Sequence, residues 1–117
     1  MADRFYTRVN HSVGASIRYD NSTVTCKTIN LSICGMYLKT DFDLPLDAPV
    51  HVTVHNQERQ VFKVNASVVR KEPEGVGLQI SSLSADSFMH LRDIVSDKSY
   101  DGNKVMQETF GMLKCIY

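Results

Sequence analysis

The sequence has no tryptophan, only three prolines, and three cysteines, Cys26, Cys34 and Cys115, with no Cys-x-x-Cys pair among them. An odd, scattered set of thiols is no disulfide framework and no zinc site, and it fits a reducing compartment. The chain also lacks an excess of either charge: 13 basic residues balance 13 acidic ones. That argues against a general polyanion binder, whose affinity rests on many released counterions, but not against a small anionic ligand that needs one local cluster. No apolar run approaches the roughly 20 residues that span a bilayer, and Met1-Ala2-Asp3-Arg4 opens without the apolar core of a signal peptide. A cytoplasmic protein with no membrane insertion is expected. Paired carboxylates, a P-loop and a nucleophile–base arrangement are all missing, so no enzyme is expected and catalytic residues are none.

What is present is alternation. With 117 residues the chain is the size of one domain. Val13, Ala15, Ile17 and Tyr19 alternate with Gly14, Ser16 and Arg18, which predicts a half-buried strand. Asp20-Asn21-Ser22 supplies turn chemistry before Thr23–Thr28, so the two runs read as a hairpin of open loop type. A short strand follows through Met36–Thr40, then an irregular loop from Asp41 to Pro49 with two prolines. Val50, Val52 and Val54 alternate again, as do Phe62, Val64, Ala66 and Val68, then Val76, Leu78 and Ile80. Six short alternating strands joined by turns predict an all-β fold, an antiparallel sheet curled into a small barrel or sandwich.

The period changes after Ser82. Ser84 is a candidate N-cap, and Phe88, Leu91, Ile94 and Val95 recur at helical spacing. Asp101-Gly102 interrupts the pattern. Met106, Thr109, Phe110, Leu113 and Ile116 then predict a second amphipathic helix reaching the carboxyl terminus, covering the barrel or facing a partner. The expected organisation is an arm at 1–10, a barrel at 11–82 and a helical segment at 83–117, all in one domain. The arm is expected outside the core, lying against it through Phe5 and Tyr6.

Two stretches carry candidate chemistry. Arg4 and Arg8 present planar forks of donors that fit phosphate oxygens or the O6 and N7 edge of guanine. Asn30-Leu31-Ser32-Ile33-Cys34-Gly35 sets short polar groups and a glycine between apolar neighbours. On their own, the arginines read first as a solvated tail, and Asn30 and Ser32 read first as turn chemistry.

Their order resembles the PilZ family of cyclic di-GMP receptors. The family's RxxxR arm stands here as Arg4-Phe5-Tyr6-Thr7-Arg8, and its [D/N]xSxxG motif as Asn30 to Gly35. Val9 after the second arginine, Met36-Tyr37-Leu38 after the glycine, Val68-Val69-Arg70 and Gly75-Val76-Gly77-Leu78 extend the likeness over residues 4 to 95. The resemblance implies a six-stranded antiparallel PilZ-like barrel followed by one or two helices. It implies that Arg4 and Arg8 grip phosphate and guanine edges of cyclic di-GMP. Asn30 and Ser32 would bond a guanine or phosphate, and Gly35 would keep the loop tight against the ligand. Asn30 stands where aspartate is more frequent, and Asp3 where many relatives are basic. The ligand needs no cofactor or metal, and an unidentified protein partner downstream is implied.

Weaker candidates read as structure. His51 and His55 are four apart on one strand face, about 13 Å, too far for one metal. His11 lies near the arm, Cys34 reads as apolar packing, and Phe5 or Tyr6 packs the arm onto the barrel. Two other functions compete: a PilZ-like adaptor that binds no nucleotide, and a small nucleic-acid-binding barrel, which zero net charge disfavours.

Overall fold

The computed structural model describes residues 6–56, 59–99 and 101–117. Seven strands form: β1 (Val9–Asn10), β2 (Gly14–Tyr19), β3 (Ser22–Leu31), β4 (Gly35–Lys39), β5 (Pro49–Asn56), β6 (Arg59–Glu72) and β7 (Gly75–Ser82). Every pairing between these strands is antiparallel. Around the sheet the order is β3-β2-β5-β6-β7-β4, and β4 pairs back onto β3. The six long strands therefore close into a barrel, which leaves none of them an open edge. The predicted architecture holds, with strands that run longer than the alternation alone marked.

The alternation works as expected. Ala15 and Ile17, Val50, Val52 and Val54, Phe62, Val64, Ala66 and Val68, and Val76, Leu78 and Ile80 all turn into one core. The first hairpin is tight: Tyr19 pairs with Ser22, and Asp20 takes a left-handed φ of 56° that its short polar side chain tolerates. Within the irregular 40–48 loop, Leu44 is fully buried and anchors the crossing.

Helix α1 (Ala85–Lys98) starts as predicted, with Ser84 Oγ accepting from the Ser87 amide at 3.1 Å. It buries Phe88, Leu91 and Val95, and the Ser87 hydroxyl accepts from the Lys63 amide of β6 at 3.1 Å, which fixes the helix to the barrel wall.

Two expectations are corrected. The arm does not lie wholly outside the barrel: Val9 and Asn10 pair with Leu31 and Asn30, and Val9 is buried. Two residues are too few to show a period, so the strand left no pattern to read. The carboxyl-terminal helix is also shorter and turned differently. Helix α2 (Gly102–Thr109) gives way to a 3-10 turn at Phe110–Cys115, and Leu83 then bridges Ile116 in parallel. Val105 and Met112 face inward, while Met106, Phe110 and Leu113 stay exposed. Of the apolar members of the stripe at three and four spacing, Ile116 alone packs against the core.

Barrel closure depends on a close approach at Gly35. A Cβ there would stand 2.4 Å from the Leu78 carbonyl oxygen of β7. Gly35→Ala is expected to destabilise the fold by about 1–3 kcal/mol, read as a lowered denaturation midpoint. An unchanged midpoint would show that β4 and β7 can separate at no cost.

Candidate functional site

The site begins with a break in alternation. Val24, Cys26 and Thr28 lie on the inward side of β3, so strict period two would send Asn30 inward and Leu31 outward. The register to β4 shifts between Thr28, opposite Leu38, and Asn30, opposite Tyr37. Ile29 is thus the extra residue of a β-bulge, which re-aims the side chains beyond it. Leu31 enters the core with no exposure, and Asn30 turns to the outer face, half-buried.

A second gap lies opposite, between β1 and β2, and Thr28 fills it. Its buried hydroxyl donates to the His11 carbonyl and accepts from the Val13 amide at 3.0 Å. The His11 amide donates to the Ile29 carbonyl at 3.0 Å. These bonds hold β1 against the end of β3 after β2 has left it. Thr28 was not marked in the sequence as more than a strand residue. Its signal was a polar side chain at an inward position of the alternation.

With β1 in place, Arg8 reaches diagonally across the pair. Its Nη1 donates to Asn30 Oδ1 at 2.6 Å, a short charge-assisted bond at the exposed surface. Arg8 and Asn30 are therefore brought together as anticipated, although Asn30 sits in a strand and only Ser32–Cys34 form the turn. Arg4 lies outside the described residues, as do Asp3 and Phe5.

Ser32 and Gly35 close the turn between β3 and β4. Ser32 is fully buried, and its hydroxyl accepts from the amides of Gly35 at 3.1 Å and Cys34 at 3.3 Å. The Ser32 amide in turn donates to the Gly35 carbonyl at 2.9 Å. A hydroxyl satisfies several backbone groups that a three-residue turn leaves without ladder partners. Both residues thus serve the turn that presents Asn30, and neither offers a group to solvent here.

The outer face continues from Asn30. Asn30 is opposite Tyr37, Tyr37 opposite Gly77, and Gly77 opposite Arg70. The Arg70 guanidinium lies 5.6 Å from the Tyr37 ring centroid, a cation–π contact, and Nε meets Glu72 Oε2 at 3.0 Å. Burial raises the Tyr37 hydroxyl above its usual pKa, and Glu72 and Glu74 add to that while Arg70 opposes it. In the sequence Tyr37 and Arg70 stand only as residues of runs that extend the family likeness. Cross-strand register, which no single strand displays, puts them beside Asn30.

His11, near the arm, is half-buried. Burial, then the charge of Lys98, lowers its pKa, and its Nδ1 is buried without a hydrogen bond. His51 sits instead on an open groove of about 650 Å³ with Arg18, Asp20 and Asn65, on the β2–β5–β6 wall. That groove mixes acid with base, Asp20 beside Arg18. Among the described residues no cluster of His, Cys, Asp or Glu could hold a metal, and no helix is long and apolar enough to cross a membrane.

Comparison with known proteins agrees with this architecture. The family model described as PilZ domain matches residues 2–97. The Bacillus subtilis inhibitor of motility MotI/DgrA superposes with a TM-score of 0.63 at 15% identity, over 92% of this chain and 52% of that one. This chain thus spans about half the length of that protein. The PilZ domain of CeSA from a cellulose-synthesizing bacterium gives 0.52 at 16% identity, over 90% and 96%. At such identities the likeness speaks for the fold. No curated protein sequence matches the chain. The matched model covers both arm and barrel, and the closed six-stranded barrel with two helices is the fold of that family, so this chain belongs to the PilZ domain family, a family of cyclic di-GMP receptors some of whose members bind no nucleotide.

Proposed function

We propose that this chain binds cyclic di-GMP on the face formed by β1, the end of β3 and the arm, and passes occupancy to a partner protein through a change in the arm and the surface around it. Arg8 and Arg4 supply guanidinium forks for phosphate and guanine edges. Asn30 supplies a neutral acceptor for guanine N–H groups. Ser32 and Gly35 contribute by holding the turn, so that the strand end keeps its shape as the ligand settles. The protein is then a cytoplasmic binding module, not an enzyme, with no cofactor beyond the ligand itself.

The observation that carries this reading is the meeting of Arg8 and Asn30 at 2.6 Å on an exposed face, from motifs 22 residues apart. A cation and a short amide converge there beside the Tyr37 ring. In the free protein each partly satisfies the other, so the ligand must replace that bond with better ones. The same bond favours a second reading, a nucleotide-independent adaptor in which Arg8 and Asn30 simply fasten the arm. The evenly balanced net charge of the chain keeps a nucleic-acid role third.

Isothermal titration separates the readings, with cyclic di-GMP as titrant and cyclic GMP-AMP and GTP as controls. Saturable heat with cyclic di-GMP is expected, and none at about 50 μM protein would leave the adaptor reading. Arg8→Ala is expected to abolish binding while stability stays within about 0.5–1 kcal/mol, because the side chain is exposed. If Arg8→Ala unfolds the protein, the arginine is structural and the assignment fails. Asn30→Ala, which removes one hydrogen-bond acceptor, is expected to weaken binding by about tenfold, or ~1.4 kcal/mol.

A further inference from the structure

The PilZ model ends at residue 97, yet the arm is held by residues beyond it. Glu108 of α2 spans Thr7: the Thr7 amide donates to Oε1 at 2.8 Å, and the Thr7 hydroxyl donates to Oε2 at 2.7 Å. One carboxylate thus takes both donors of the residue next to Arg8. A turn further on, a Cβ at Gly111 would fall 2.3 Å from the Tyr6 hydroxyl oxygen, so the phenol occupies the space a side chain there would need. Burial first, then the neighbouring Cys34, Glu108 and Cys115, raises the Tyr6 pKa, in keeping with a ring lodged between the turn and the carboxyl-terminal segment.

The side from which the arm is gripped decides what the grip does. Along the extended run from Thr7 to Asn10, burial alternates: Arg8 and Asn10 are exposed, Val9 is buried and Thr7 is half-buried. Thr7 and Val9 therefore look toward the protein while Arg8 looks away. Glu108 holds the arm from behind and leaves the face of Arg8 and Asn30 uncovered, so it does not occupy the place of an incoming anion. With Tyr6 at Gly111, Thr7 on Glu108, Arg8 on Asn30 and Val9–Asn10 on β3, each residue of the second half of the arm has its own anchor.

We propose that Glu108 and Gly111 are positioning residues of the ligand site, which hold Tyr6 and Thr7 so that Arg8 is already in place when the ligand arrives. The inference rests on the cyclic di-GMP reading and deepens it. Ordering a loop opposes binding, and a loop ordered beforehand spares that cost. By linkage, the ligand must also stabilise the carboxyl-terminal segment to the same degree that the segment improves its affinity. Residues 101–117 then report occupancy at the arm, which is a physical route from the site to α2.

The test combines titration with amide hydrogen exchange on the full chain. Glu108→Ala is expected to weaken cyclic di-GMP binding about tenfold and to speed exchange at Thr7 and Arg8 in the ligand-free protein. Glu108→Gln is expected to stay within about threefold of wild type, since its amide can accept from the Thr7 N–H and donate to the hydroxyl. Gly111→Ala, which crowds Tyr6 without touching the carboxylate, is expected to weaken binding in the same direction. Binding by Glu108→Ala as tight as wild type, or tighter, overturns the positioning role while leaving the receptor reading intact. Equal losses for Glu108→Ala and Glu108→Gln overturn it too, because the hydrogen bonds would then not be the cause. A wild-type protein that binds no cyclic di-GMP overturns the receptor reading itself, and the positioning role with it.

Discussion

The turn between β3 and β4 is the constraint on which the rest depends. A barrel of six strands has to close somewhere, and here closure requires β4 to lie against both β3 and β7 at once. Gly35 permits the contact with β7, because no side chain fits before the Leu78 carbonyl. The buried Ser32 hydroxyl permits the contact with β3, because it satisfies the amides of Cys34 and Gly35 in a turn too tight to reach water. An unsatisfied buried amide costs about 1–3 kcal/mol, so the turn needs both features together. The serine and glycine of the Asn30–Gly35 motif thus act on the fold.

The proposed site is layered on that closure by a single extra residue. The bulge at Ile29 reverses the facing of β3 over its last residues, putting Leu31 into the core and Asn30 onto the surface. Thr28 then bridges the break between β1 and β2, and the short strand β1 carries Arg8 to Asn30. Remove the bulge and the polar group of the motif points into the barrel. Remove the Thr28 bridge and the arm loses its attachment beside β2. The Arg8–Asn30 geometry arises from strand register, and so is fixed where it meets the barrel.

Much of this was legible from the residues. Runs such as Val50-Val52-Val54 and Phe62-Val64-Ala66-Val68 declare their inner face, since each inward side chain must be apolar and each neighbour faces water. The N-cap at Ser84 and the Phe88, Leu91, Val95 stripe are legible for the same reason. What stayed hidden depends on partners distant in sequence. Val9 and Asn10 are a strand only because Leu31 and Asn30 lie beside them. The burial of Ser32 comes from a turn geometry that Asn-x-Ser alone does not specify. Met106, Phe110 and Leu113 obey helical spacing, yet Val105 and Met112 are the residues that pack. Periodicity states that a face exists; only the rest of the fold says which face is covered.

Ligand recognition is assigned to the place where Arg8 crosses to Asn30, and the side chains themselves can report it. A titration with cyclic di-GMP followed by 1H–15N NMR reads the Arg8 Nε–H and Asn30 Nδ2–H2 signals directly. Both are expected to move saturably, together with the backbone amides of Ser32 to Gly35. Saturable shifts confined to Arg18, His51 and Asn65 on the open groove, with Arg8 and Asn30 unmoved, would contradict that assignment.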